Sequence, residues 1–147
     1  MEIKQVNQTK VFGEEIKTTL KRIGEHVKVL PESVATEMNQ RGFKIEGPQV
    51  WIYNGTDGNP ETEFDLLVGF PVSEKAMDHK ITALDDFKCV TVMHKGDWSR
   101  FPESYGKIIG ELTLKGLQMT GECREVYHQI DFENVDNNLT EIQIGVK

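Results

Sequence analysis

The sequence predicts an α+β fold: a tandem, pseudo-two-fold β-α-β-β repeat with antiparallel sheets, two helices on one face and a central cleft between the copies. Three observations predict it. First, residue pairs at a constant offset of 74 run through three segments: Gly42 with Gly116, Gly47 with Gly121, Tyr53 with Tyr127, Val68 with Ile142, Phe70 with Ile144 and Val72 with Val146. A register held over that span is the signature of an internal duplication. Second, each copy carries the same signals in the same order: a strand, a proline-led helix, a glycine, then two more strands. Third, the chain has 147 residues, 37% hydrophobic and 28% charged, a composition able to bury a core and unlike that of a disordered chain.

The elements follow in chain order. Val11–Leu20 reads as the first strand. Lys21–Val29 either extends it or forms a loop, and the pattern leaves both open. Leu30-Pro-Glu-Ser33 opens a helix, because proline in the first turn sacrifices no needed donor and a glutamate there suits the dipole. That helix runs from about Pro31 to Gln40 on a weak stripe of Val34, Ala35 and Met38, and Gly42 ends it. Strands follow at Val50–Asn54 and Phe64–Val72, around the polar loop TDGNPET. Residues 71–86 join the copies. The second copy begins with a strand at Phe87–His94. Its Phe101-Pro-Glu-Ser104 opens a helix with Tyr105, Ile108, Ile109 and Leu112 at helical spacing. Gly116 closes that helix, and strands follow at Glu122–His128 and Leu139–Val146. The second copy holds three more residues than the first between its Pro-Glu-Ser and its glycine. The expected organisation is one domain over 1–147, with repeat one at about 1–74 and repeat two at about 79–147.

Charge and composition narrow the function classes. A formal net charge of −7 repels phosphate backbones, so no direct nucleic-acid binding is expected. No stretch approaches the ~18 apolar residues of a membrane span, and the polar N-terminus lacks a secretory signal, so the expectation is a cytoplasmic protein without a membrane partner. Cys89 and Cys123 have no CxxC spacing, and His26, His79, His94 and His128 form no ligand pattern. The reading is two reduced thiols near the core, no metal and no cofactor.

One strand carries the chemistry. Alternation in Glu122–Tyr127 places Cys123, Glu125 and Tyr127 on one face, and the repeat places Gln49, Trp51 and Tyr53 on the equivalent face. Val126 and Ile144 are assigned to the opposite face, as core. Trp98 and Tyr105 lie at the entry and first turn of the second helix. If the Glu125 face lines the cleft, one carboxylate sits among aromatic rings, which suits an organic cation. Periodicity alone leaves a solvated Glu125 beside Arg124 open, and it leaves Trp51, Tyr53 and Tyr105 open as plain core.

His94-Lys-Gly-Asp-Trp98, Phe101–Lys107, Gly121–Tyr127 and Leu139–Ile144, together with Gly47–Tyr53 and Val68–Val72 in the first half, resemble the GyrI-like family over nearly the whole chain. That family includes the effector-binding domains of bacterial AraC-type and MerR-type multidrug regulators. The resemblance implies a pocket between the repeats with an acid at its floor. By motif, Glu125 takes that position, Tyr105 the aromatic position of the second helix, and Trp51 and Tyr53 the first-repeat wall. Trp98 and Tyr127 complete the expected ligand-binding set, and Glu141 is a weaker second acid. Gly145 replaces the usual proline of the closing strand.

No residues remain for the DNA-binding region that regulators of this kind carry, so a stand-alone member is expected. The leading expectation is a receptor for small cationic or amphipathic aromatic compounds, with Glu125 as counter-charge. The alternative is a hydrolase of reactive small molecules, with Glu125, Tyr105 and Tyr127 catalytic. A third class is a protein-binding inhibitor such as a gyrase modulator. A homodimer or a separate protein partner stays open.

Overall fold

A computed structural model describes residues 1–147. The chain forms β1 (Glu2–Val6), β2 (Thr9–Thr19), α1 (Val29–Arg41), β3 (Gln49–Asn54), β4 (Glu63–Val72), β5 (Ile81–Leu84), β6 (Phe87–Lys95), α2 (Phe101–Leu114), β7 (Met119–Gln129) and β8 (Leu139–Val146). One eight-stranded sheet results, in the order β1-β6-β8-β7-β3-β4-β2-β5, with each paired neighbour antiparallel. The order is symmetric about its centre. β7 and β3 are the second strands of the two β-α-β-β copies, and each is followed outward by the last strand (β8 or β4) and then the first strand (β6 or β2) of its own copy.

Two strands escaped the sequence reading. β1 pairs with β6, and β5 pairs with β2, so each copy lends the short strand that precedes it to the edge of the other copy. Both are edge strands with one hydrogen-bonded side. β1 is exposed along most of its length, so no burial alternation marks it. β5 is four residues long and lies inside the segment read as a linker. The ambiguous stretch after β2 is neither a strand extension nor an irregular loop. It turns and enters a 3-10 helix at Ile23–His26 that leads into α1.

The helices begin and end as their sequences dictate. α1 starts two residues before Pro31 and ends where Gly42 adopts φ 77°, a left-handed conformation in which its N–H meets the Asn39 carbonyl. α2 carries its proline in the first turn. Val34 and Met38 of α1 pack with Phe12 and Val72 of the outer strands, and Ile108 and Leu112 of α2 pack with Val90, Ile142, Ile144 and Val146. Each helix thus covers the outer strands of its own repeat. Since Ile142 pairs with Glu125, and Val68 pairs with Trp51, both helices lie on the Glu125 face of the sheet. The central pair β3–β7 remains between them as a floor.

That register corrects one assignment. Val126 is on the opposite face, packed against Val11, Val50 and Ile52. Ile144 pairs with Cys123 and lies in the core under α2, on the same face as Glu125. Alternation within a strand fixes which residues share a face, but only the register of pairing says which face of a neighbour they meet.

On the outer strands a pair of glycines lets the backbones close up. Gly13 faces Gly69 across β2–β4, and a Cβ on Gly69 would meet the Phe12 carbonyl oxygen at 2.1 Å. No helix is long and apolar enough to cross a membrane. Both cysteines are free thiols; Cys89 is buried and Cys123 half-buried.

Candidate functional site

The floor of the inter-helix cleft is built by strand pairing. β3 and β7 align Gln49 with Tyr127, Trp51 with Glu125 and Tyr53 with Cys123. Direct partners in an antiparallel pair share a face, so alternation carries Trp51, Tyr53, Glu125 and Tyr127 to one side together. The first turn of α2 brings Tyr105 over them.

The chain has three tyrosines, and all three point their hydroxyls at one carboxylate. Tyr53 and Tyr127 donate to Glu125 Oε1 at 2.7 and 2.6 Å, and Tyr105 donates to Oε2 at 2.6 Å. These lengths are those of hydroxyls bonded to an ionised carboxylate. Glu125 is 3% exposed. Its hydrogen bonds come from tyrosines, and no lysine or arginine pairs with it.

Two opposing effects act on that carboxyl. Burial pushes its pKa up, because the charged form loses water; the hydroxyls of Tyr105, Tyr127 and Tyr53 pull it part of the way back. The tyrosines are held neutral. Burial first, then the nearby Glu125 charge, raise all three hydroxyls well above the ordinary phenol value.

The walls are aromatic. Trp51 is buried, stacks on Tyr53 at 6.5 Å and meets Tyr127 edge-on at 6.0 Å. Its indole N–H is satisfied by Gln49 Oε1 at 2.7 Å. Trp98 stands in a 3-10 turn in which the Asp97 side chain caps the Ser99 N–H. Its ring meets Tyr127 edge-on at 5.4 Å, and its N–H donates to Thr140 Oγ1 at 3.1 Å. Of the seven expected site residues, six gather here: Trp51, Tyr53, Trp98, Tyr105, Glu125 and Tyr127.

Glu141 does not join them. It pairs with Val126 and Met93, one residue out of phase with Glu125, and so lies on the opposite face. There it accepts hydrogen bonds from Lys4, Thr91, Gln143 and His128 at 2.8 to 3.0 Å. Burial alone would raise its pKa, but the bonds from Gln143, Lys4, His128 and Thr91 win and lower it to about 2. A concavity of about 750 Å³ opens beside it, lined by Met1, Lys4, Thr91 and Met93 among others. The group with perturbed charge, aromatic walls and exclusion of water is the Glu125 cluster, where Glu125, Trp51 and Tyr53 are buried.

Sequence reasoning missed three contributors. His94 is buried at the end of β6, with Nδ1 2.7 Å from Ser104 Oγ and Nε2 2.9 Å from the Asp97 carbonyl. A carbonyl only accepts, so Nε2 carries the proton in the neutral ring and Ser104 donates to Nδ1. This pair ties β6 to the start of α2 and so fixes Tyr105. Thr140 anchors Trp98. Phe132, in the loop after β7, meets Trp98 edge-on at 5.8 Å. A single phenylalanine in a polar loop carries no periodic signal, and His94 looked like one more strand residue.

The fold recurs in known structures. The C-terminal domain of EcmrR superposes with a TM-score of 0.81 at 17% identity, over 99% of this chain and 96% of that one. Against EcmrR in its DNA-bound transcription complex the TM-score is 0.84 at 16% identity, and this chain spans 56% of that chain's length. SAV2435, solved bound to tetraphenylphosphonium, matches with a TM-score of 0.70 at 11% identity over 99% and 93% of the two chains. A hydrolase encoded by lin2189 of Listeria innocua matches at 0.58 and 12% identity, over 99% and 91%. No curated protein sequence matches the chain. The model of the GyrI-like small molecule binding domain matches residues 1–147, and the chain belongs to that family.

Proposed function

We propose that this domain is a receptor for small organic cations with aromatic or otherwise apolar bodies, and that Glu125 is the counter-charge. The single observation that carries this reading is a buried carboxylate held by three neutral tyrosine hydroxyls with no basic partner. Ionising a carboxylate out of water is costly unless a cation compensates it. The hydroxyls offset part of that cost but bring no charge. A cation arriving among Trp51, Tyr53, Trp98 and Tyr127 supplies the missing charge and meets ring faces worth ~0.5–2 kcal/mol each when water is excluded. The likeness to SAV2435, solved with tetraphenylphosphonium, supports the same ligand chemistry.

The hydrolase alternative fits less well. It asks Glu125 to take a proton from water as a general base, whereas both of its carboxylate oxygens already accept from tyrosine hydroxyls.

The test is calorimetric titration of the pure domain with tetraphenylphosphonium, wild type against Glu125→Gln. The substitution keeps the shape of the side chain and removes the charge. A loss of roughly 1.5–3 kcal/mol is expected, the scale of removing a charged partner from a desolvated pair. Equal affinity in the two proteins sinks the counter-charge role.

A further inference from the structure

Over the cleft, a lysine of the first repeat meets a ring of the second. Lys28 Nζ lies 4.6 Å from the centroid of Phe132. Lys28 immediately precedes α1, where its neighbours Val27 and Leu30 pack against the Trp51 and Tyr53 cluster. Phe132 belongs to the loop between β7 and β8. From it the contacts run inward without a gap: Phe132 to Trp98 at 5.8 Å, Trp98 to Tyr127 at 5.4 Å, and the Tyr127 hydroxyl to Glu125 at 2.6 Å. The line begins on an ammonium, ends on a carboxylate and crosses from one repeat to the other.

The two ends of the outer contact differ in stiffness. Phe132 is presented by a stapled loop. Asp131 Oδ1 accepts from the backbone N–H groups of Glu133 and Asn134, and Asn138 Oδ1 accepts from the N–H of Asp131. Phe132 is 47% exposed, whereas Glu125 behind it is 3% exposed. Lys28 is an exposed, flexible side chain. Lys4, Lys17, Lys21 and Lys80 reach carboxylates, but Lys28 lays its ammonium on an aromatic face.

We propose that Phe132 is an outer cation-binding ring of the cleft, and that Lys28 is its resident occupant, displaced by an organic cation on its way to Glu125. The proposal rests on the cation-receptor reading and extends it. A ring face that holds an ammonium holds an organic cation by the same quadrupole attraction. Only one of them occupies that face at a time, and Lys28 is tethered, so it competes at high effective concentration. The ammonium therefore acts as a plug at the mouth and as a filter: neutral ligands gain nothing by displacing it.

Stopped-flow mixing with tetraphenylphosphonium, read by the fluorescence of Trp51 and Trp98, tests this in wild type, Lys28→Met and Phe132→Leu. Lys28→Met keeps the apolar stem and removes the plug; faster association and roughly three- to thirtyfold tighter binding are expected, the range of one cation–π contact. Phe132→Leu removes the ring for ligand and lysine alike, so weaker binding than in Lys28→Met is expected, together with loss of any further gain from adding Lys28→Met. Acrylamide quenching without ligand gives an independent reading, and greater quenching in Lys28→Met is expected. If all three proteins bind the cation alike and quench alike, the plug is overturned and the receptor reading stands. Binding by Lys28→Met alone supports the plug. If no variant binds, both readings are overturned.

Discussion

Trp51 and Glu125 face each other across the central strand pair and occupy the same position of the two repeats. The pseudo-two-fold axis passes between them. A symmetric pair of carboxylates on that axis would repel, each raising the other's pKa. The duplication has instead diverged at this point, leaving an acid on one side and an indole on the other, with Tyr53 and Tyr127 still symmetric and both bonded to the acid. Under the proposed receptor reading one carboxylate takes one cation, and titration with tetraphenylphosphonium is expected to saturate at a single site.

Each tyrosine hydroxyl helps to keep Glu125 ionised. Tyr53→Phe, Tyr105→Phe or Tyr127→Phe removes one donor and leaves burial to push the carboxyl further up. In the proposed receptor, cation affinity depends on the ionised form, so it is expected to be lost as pH falls through the Glu125 pKa. In each variant that loss is expected at a higher pH than in wild type, measured by titration across a pH series. Unmoved midpoints would mean that the hydroxyls contribute shape alone.

Glu141 sets the acid limb of stability. Its folded-state pKa is lowered to about 2 by its four hydrogen bonds. A depressed carboxyl contributes stability that is present above its unfolded value near 4.3 and is lost as pH falls through the folded value. Thermal melts are expected to show a steeper decline between about pH 4.5 and 2 in wild type than in Glu141→Gln. Glu125 has the opposite sign. Its raised pKa favours the fold below the ordinary carboxylate range and costs stability as pH rises through its folded value.

Ile144 sits in the core under α2 at 1% exposure. Ile144→Ala is expected to cost about 2–5 kcal/mol by chemical denaturation, the range for emptying such a site. A cost below 1 kcal/mol would contradict the packing assigned to α2.

The thiols are expected to be unreactive. Burial raises both Cys89 and Cys123 to about 11, so little thiolate exists at neutral pH. A disulfide-exchange reagent should label neither rapidly in the native state and both after unfolding.

The duplication was legible because paired glycines and strand residues keep one register, and glycines that cap helices are hard to replace. The acid floor was legible because alternation puts Glu125 and Tyr127 on one face and the repeat supplies Tyr53. What alternation cannot give is pairing between strands. That gap misplaced Ile144 and let Glu141 stand as a second acid, although it lies one residue out of phase. The edge strands β1 and β5 hid because a strand exposed on both faces has no hydrophobic period. Phe132 and His94 hid because their roles come from loops and helix starts folding over the sheet.

The most direct test of the central claim is calorimetric titration of wild type and Glu125→Gln with tetraphenylphosphonium at neutral pH. Single-site binding in wild type, weakened by roughly 1.5–3 kcal/mol in the variant, is the predicted result. Wild-type affinity retained in Glu125→Gln would contradict the account, because the buried carboxylate would then play no part in holding the cation.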